Sequence, residues 1–251
     1  MKVDKFRTVI IYITIILLGL VCLLPLLNIV AISFSSSAAV EGNMVGLIPV
    51  GFSTAAYKKI LEDSQFWHSF LISVERVVLT LIINFVLIVL MAYPLSKTNA
   101  QFRGRNIYAN LMIFAMLFNG GMIPTFLLVK SYGLLNTIWA LVLPGAVPIF
   151  NVILVMNFFA AVPKELEEAA FIDGANPLQV LTKIFIPISK PVLATVSLFS
   201  IVGSWNDFYS GLIYMSKAAY YPLMTYIQSL QINVEDLIKQ GNLSAVVDSA
   251  S

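Results

Sequence analysis

The sequence predicts an all-α integral membrane protein, a bundle of kinked transmembrane helices. Three observations carry that prediction. Of the 251 residues, 59% are hydrophobic and only 11% charged, whereas soluble domains run nearer half apolar and a quarter charged. Five apolar segments are each long enough for a hydrocarbon core, which takes about 20 helical residues. A polar island at about residues 160–190 separates the last two of these segments, patterned as helix, glycine turn and helix.

The spans are expected near Val9–Phe34, Val77–Pro94 with its preceding turns, Ile107–Val129, Thr137–Phe159 and Pro191–Met215. Lys2, Lys5 and Arg7 precede the first and Ser37-Ala38-Ala39 follows it, as in a secretory leader. Its apolar run far exceeds the roughly 7–15 residues of a signal core, so it is expected to remain as an anchor. Residues 35–65 then form an external segment with a short helix over Thr54–Glu62, introduced by Ser53 as N-cap. Trp67 and His68 mark the return to the membrane, where tryptophan suits the interface. Breaks are expected at Pro25 in the first span, at Gly120-Gly121 and Pro124 in the third, and at Pro144, Gly145 and Pro148 in the fourth. Such breaks survive in lipid where protein or a water-filled cavity satisfies the freed backbone groups. Residues 216–240 are expected to form an amphipathic helix outside the membrane. The whole is expected to be one transmembrane domain, 1–251, without a soluble domain, internal repeat or low-complexity linker.

Orientation follows from the basic residues of the short loops. Lys2, Lys5 and Arg7 flank the first span, Lys97, Arg103 and Arg105 lie between the second and third, and Lys164, Lys183 and Lys190 follow the fourth. The opposite loops hold only Lys58, Lys59, Lys130, Lys217 and Lys239. The N-terminus and the polar island are therefore expected on the cytoplasmic side of the membrane. Because the cations are scattered among loops rather than gathered on one face, no nucleic-acid partner is expected.

The polar island is built to dock. Pro163 is placed for a first helical residue, and Glu165, Glu167 and Glu168 load the first turn, at the positive end of the helix dipole. Leu166, Ala169 and Ala170 fall at i, i+3 and i+4, a narrow face whose small residues let another surface approach the backbone. Asp173-Gly174 ends the helix, with Gly174 free to take the left-handed cap conformation. Asn176-Pro177 then supplies the N-cap and first residue of a second short helix, which Pro187 and Pro191 are expected to close.

Glu168-Ala169-Ala170, followed by Gly174, Ile184 and Ile186-Pro187, resembles the EAA loop of ABC-importer permeases, with Ile186 where leucine is usual. Gly51-Phe52-Ser53 with Tyr57, Ala92-Tyr93-Pro94-Leu95-Ser96, Phe102-Arg103-Gly104-Arg105, Gly120-Gly121-Met122-Ile123-Pro124 and Trp205-Asn206-Asp207 resemble the maltose-type carbohydrate branch of that family. The resemblance covers nearly the whole chain. It implies a type I ABC-importer permease bundle in a bacterial cell (inner) membrane, with five spans visible and a sixth expected beyond Ser251. It also implies a second homologous permease subunit, two cytoplasmic ABC ATPase subunits, an external solute-binding protein and a carbohydrate substrate, an oligosaccharide. Glu165, Glu168, Ala169, Ala170, Asp173, Gly174 and Pro187 would then couple the permease to the ATPase.

Inside the spans, Trp205-Asn206-Asp207 is the outstanding polar cluster. A charged aspartate at the bilayer centre costs roughly 2.5–3.5 kcal/mol, so it must face protein or water. Rings and amides also suit a sugar, so Trp205, Asn206 and Asp207, with Asn119, are candidate linings of a substrate pathway; a structural role for Asp207 inside the bundle is the equal alternative. Asn151, Asn84 and Asn28 are expected to be interhelical glue. Glu75 and Arg76 are expected to neutralise one another at the entrance of the second span, with Arg76 snorkelling to the interface. No catalytic, metal or cofactor site is expected. His68 is the single histidine, Cys22 the single cysteine, and no Gly-x-x-x-x-Gly-Lys-Ser/Thr loop is present to hold a nucleotide. Any ATP hydrolysis must then belong to another polypeptide. An ion-gradient-driven secondary transporter of a small polar solute is the alternative, distinguished by uptake that needs a gradient and no ATP.

Overall fold

The computed structural model describes residues 5–118 and 120–239. All regular structure among them is helical. The chain divides between Trp67 and His68 into two compact units.

In the first unit, α1 (Lys5–Ser33) is apolar and lipid-like on every side. It runs unbroken through Pro25, which corrects the expected interruption. One lost hydrogen bond is a local cost, while the propagation of a long apolar helix adds a bond for every residue fixed. The Asn28 amide donates to the Val45 and Gly46 carbonyls at 3.3 and 2.7 Å, so it holds loop backbone rather than a neighbouring helix. After α2 (Ser37–Glu41), α3 (Ala55–Glu62) starts one residue later than expected. Thr54 occupies the cap position, and the Ser53 hydroxyl accepts from the Ala55 N–H in a tight turn before it.

The second unit is organised on α4 (Ser64–Leu95), which begins just before the division and continues to the loop at Ser96. The stretches Arg7–Ser33 and Ser64–Leu95 are each long and apolar enough to cross a membrane alone. Three bent helix pairs pass the same test of length and apolarity only when each pair is taken together. They are α5 (Arg105–Leu117) with α6 (Met122–Ser131), and α7 (Ile138–Val142) with α8 (Ile149–Ala160), bent by 46° over a 3₁₀ turn at Leu143–Gly145. The third is residues 177–188 with α12 (Lys190–Asn206), bent by 84°. The breaks expected at Gly120-Gly121 and at Pro144, Gly145 and Pro148 lie where helices end, whereas Pro124 sits within the first turn of α6 and does not interrupt it. A short α13 (Tyr209–Tyr214) and α14 (Leu223–Lys239) follow, the latter matching the helix expected over 216–240.

A stripe of buried polar side chains on α4 meets the α7–α8 bend, the end of α12 and the start of α14. Ser69, Ser73, Arg76, Thr80 and Asn84 recur at helical spacing and are all buried. The Arg76 guanidinium donates from Nη1 to the Asp207 carbonyl at 2.8 Å and from Nη2 to Asp207 Oδ2 at 2.5 Å, just beyond the end of α12. Asn84 oriented with its nitrogen toward Ala146 donates to that carbonyl at 3.0 Å, in the α7–α8 break, while its oxygen accepts from the Ser200 hydroxyl of α12 at 3.2 Å. Ser73 Oγ accepts from the Leu223 N–H at 2.8 Å, and the ring Nε2 of His68 lies 2.9 Å from the Ala219 carbonyl. Arg76 is thus 3% exposed and paired with Asp207, not snorkelling and not paired with Glu75. A guanidinium can hold a carboxylate and a carbonyl in one plane, which the adjacent Glu75 on a helix cannot reach to offer.

The apolar core lies toward the opposite end of α4. Ile88, Val89, Ala92 and Leu95 meet Val152, Val155 and Phe159 of α8 and Val192, Leu193 and Val196 of α12. At the other end, Gly211 of α13 lets α14 approach closely. A Cβ built on Gly211 would lie 2.1 Å from Thr225 Oγ1 and 2.8 Å from its Cβ, and Thr225 is fully buried with its hydroxyl donating to the Phe208 carbonyl. Gly211→Ala is therefore expected to destabilise the subunit by about 1–3 kcal/mol, read as a lower denaturation midpoint in detergent micelles. In the same assay Arg76→Leu, which strands the Asp207 carboxylate, is expected to cost about 3–5 kcal/mol. The Arg76→Leu/Asp207→Leu double variant should recover part of that loss.

Candidate functional site

The polar island folds as its residue pattern dictates. Its first helix, α9 (Lys164–Ile172), starts one residue later than expected, with Pro163 at the cap position rather than as the first helical residue. Asp173 ends it and Gly174 takes φ +82°, the left-handed conformation that glycine reaches without a Cβ penalty. The Gly174 N–H donates to the Phe171 carbonyl at 3.1 Å and the Ala175 N–H to the Ala170 carbonyl at 2.9 Å, the two bonds of a Schellman cap. Asn176 and Gln179 then form a reciprocal capping box, each side-chain oxygen accepting from the other's backbone N–H at 2.9 Å. This starts α10 (Pro177–Val180), as expected.

Pro187 does not close that second helix. A π turn at Leu181–Phe185 continues it into α11 (Ile186–Ile188), with the Ile186 N–H donating to Leu181 five residues back. Widening the turn by a residue takes up the carbonyl that a proline ring would otherwise crowd. The helix ends at Ser189, immediately before the turn that contains Pro191. Val180, Leu181 and Phe185 are buried in the core of the bundle, so this half of the island is anchored.

The first half is presented outward. Glu165, Leu166, Glu168, Ala169, Asp173 and Gly174 are exposed, as are Phe171 and Ile172. Of the narrow face expected from spacing, Leu166 and Ala169 point out while Ala170 packs against the core. A groove of about 490 Å³ runs beside it, lined by Ala170, Asp173, Gly174, Gln179 and Lys183. Glu167 alone among the three acidic residues of α9 is buried. Its Oε2 accepts from Lys97 Nζ at 2.7 Å and its Oε1 from the Tyr93 hydroxyl at 3.4 Å. The Lys97 ammonium also lies 4.2 and 4.1 Å above the centres of the Tyr93 and Phe185 rings. Burial holds Lys97 below the ordinary lysine range, while the hydrogen bond and charge of Glu167 act in the opposite sense.

The second candidate site is the polar cluster of the spans. A cavity of about 280 Å³ lies among Arg76, Thr80, Asn84, Asn151, Ser200 and Asp207. Asp207 lines it and also accepts from the Ser210 N–H through Oδ1 at 3.1 Å. Trp205 and Asn206 do not line it. Trp205 packs edge-on against Phe70 with ring centres 5.9 Å apart, and the exposed Asn206 amide donates to the Val202 carbonyl one turn back. Asn119 lies outside the described residues. Of the amides expected to be glue, Asn84 is so used, and both Asn84 and Asn151 also face the cavity.

Sequence reasoning passed over two residues of these sites. Arg76 is the one cation deep in the spans and Asp207 the matching anion, and the spacing of Arg76, Thr80 and Asn84 already marked a buried polar face. Glu167 shares with Ala170 the i, i+3 face opposite Glu165 and Glu168, which singles it out as the inward carboxylate of the three.

This architecture recurs in known proteins. A family profile described as binding-protein-dependent transport system inner membrane component matches residues 4–247. Protein LplC of Bacillus subtilis (strain 168) is 43% identical over 85% of this chain and 72% of its own length. The polygalacturonan/rhamnogalacturonan transport system permease protein YtcP of the same organism is 39% identical over 96% of this chain and 83% of its own. A chain of a bacterial ABC transporter involved in the import of the acidic polysaccharide alginate superposes with a TM-score of 0.84 at 34% identity, over 92% of this chain and 81% of that one. The chain belongs to the family of binding-protein-dependent transport system inner membrane components: it is a membrane permease, not an enzyme.

Proposed function

We propose that this chain is one of two related permease subunits of an ATP-driven importer, and that it translocates an oligosaccharide handed over by an external solute-binding protein. The observation that carries this reading is the capped, outward-facing helix α9, followed directly by a second helix whose Val180, Leu181 and Phe185 are rooted in the core of the bundle. Sugar-polymer transport by the relatives, YtcP and the alginate importer among them, supports the substrate class. In this reading the chain works as one transmembrane domain with its N-terminus and α9 in the cytosol, reached there by two ATPase subunits. Glu165, Glu168, Ala169, Ala170, Asp173 and Gly174 form the docking surface, and Pro187 shapes the helix behind it. Closure of the ATPases displaces α9 and opens the pathway to the loaded binding protein, and hydrolysis reverses the motion. Asp207, which lines the cavity in the spans, belongs to that pathway, and Asn119 is assigned to it on sequence alone; Trp205 and Asn206 stand outside the cavity.

The reading makes two direct demands. Gly174→Pro removes the N–H that caps α9 and imposes a φ near −65° where +82° is required. It should reduce sugar uptake to background in cells while leaving the amount of membrane-inserted subunit unchanged. Ala170→Trp, which cannot fit between α9 and the core, should do the same. Wild-type uptake by both variants contradicts the docking role.

A further inference from the structure

The docking helix touches the rest of the chain through very little. Outward residues of α9 are committed to solvent or a partner, and only Glu167 and Ala170 face inward. Among the described residues, the bonds of Glu167 to Lys97 and Tyr93 are the side-chain hydrogen bonds that tie α9 to another element. Both partners lie at the cytoplasmic-loop end of α4: Tyr93 in its last turn, Lys97 two residues beyond it. The pair is well enclosed, with side chains 12% and 11% exposed. Phe185 completes the enclosure and is itself packed edge-on against Tyr93 and Phe159, with ring centres 5.1 and 5.4 Å apart. A charge pair held by two rings and a tyrosine hydroxyl resists sliding in a way that the single alanine contact of Ala170 does not.

The far end of the same α4 holds the break between α12 and α13 through Arg76 and Asp207. One uninterrupted helix therefore joins the pair beneath α9 to the polar cavity in the spans. We propose that Lys97 and Glu167 form the strut through which displacement of the docking helix reaches α4, making them positioning residues for transport. This rests on the docking reading of α9 and adds the route by which its motion enters the bundle. The exposed Glu165 and Glu168 face the partner; the buried Glu167 faces inward and passes the load on.

The test uses the complete transporter reconstituted in proteoliposomes, with sugar uptake and ATP hydrolysis measured together. Lys97→Met and Glu167→Gln are expected to lower uptake per ATP hydrolysed by roughly tenfold, with the ATPase still co-purifying. The double variant should be no worse than either single one, because the two residues act as a unit. Lys97→Arg, which keeps the charge and can still reach the carboxylate, should retain most of the coupling. An unchanged ratio in Lys97→Met and Glu167→Gln overturns the strut while leaving the docking role standing. Equal loss in Lys97→Arg and Lys97→Met also overturns it, since charge would not matter. If no ATPase co-purifies with the wild-type chain, the docking reading fails and the strut falls with it.

Discussion

Lipid offers no hydrogen bonds, so each carbonyl or N–H freed where a transmembrane helix breaks must find its partner inside the protein. α4 answers for three such places: the bend between α7 and α8, the end of α12 at Asp207 and the start of α14 at Leu223. Its stripe of Ser73, Arg76 and Asn84 reaches, in turn, the Leu223 N–H, the backbone and side chain of Asp207, and the Ala146 carbonyl. This explains why a buried polar face runs along the long, uninterrupted α4. It also explains why that face is buried rather than turned to a lipid-facing or aqueous surface. The price is a charged pair in the membrane, tolerated because each charge meets the other and a backbone group as well.

The Leu95 end of α4 works on a different principle. There the packing is apolar, and the loop between α8 and α12 inserts Val180, Leu181 and Phe185 into the same core as Ile88, Ala92, Val155 and Phe159. The second half of the loop is thus part of the bundle, while the first half stands off it on a Schellman cap and a capping box. Both devices lie at the one junction between α9 and α10 and fix the direction in which α9 leaves the core. Ala169 and two carboxylates face outward, while Ala170 and one carboxylate face in. That division of labour among Glu165, Glu167 and Glu168 follows from helical spacing alone once the direction of the core is known.

Much of this was legible in the residues. Spans announced themselves by length and hydropathy, and the caps of the docking loop by Asp173-Gly174 and Asn176-Pro177, because local chemistry decides both. The errors have two causes: a long helix propagating through a local breaker, and tertiary contacts overriding a local rule. Pro25 and Pro187 carry a helix-breaking signal that is overridden within longer helical stretches, the second by a π turn. Glu75 beside Arg76 offered a neighbouring charge, yet the partner is Asp207, 131 residues away in sequence. Spacing could not show that Ala170 would turn inward while Leu166 and Ala169 turned out, because the direction of the core comes from α4, α8 and α12 together. Trp205, Asn206 and Asp207 are adjacent in sequence, but the end of α12 points them in three directions.

The central claim is that α9 is where this permease meets an ATPase. It is tested most directly by purifying the subunit from gently solubilised membranes and identifying by mass spectrometry what accompanies it. The account predicts recovery of an ABC ATPase and a second permease, with the ATPase lost when Glu168–Gly174 is scrambled and the subunit remains folded. A folded subunit that purifies alone, or one that keeps its ATPase with that segment scrambled, would contradict it.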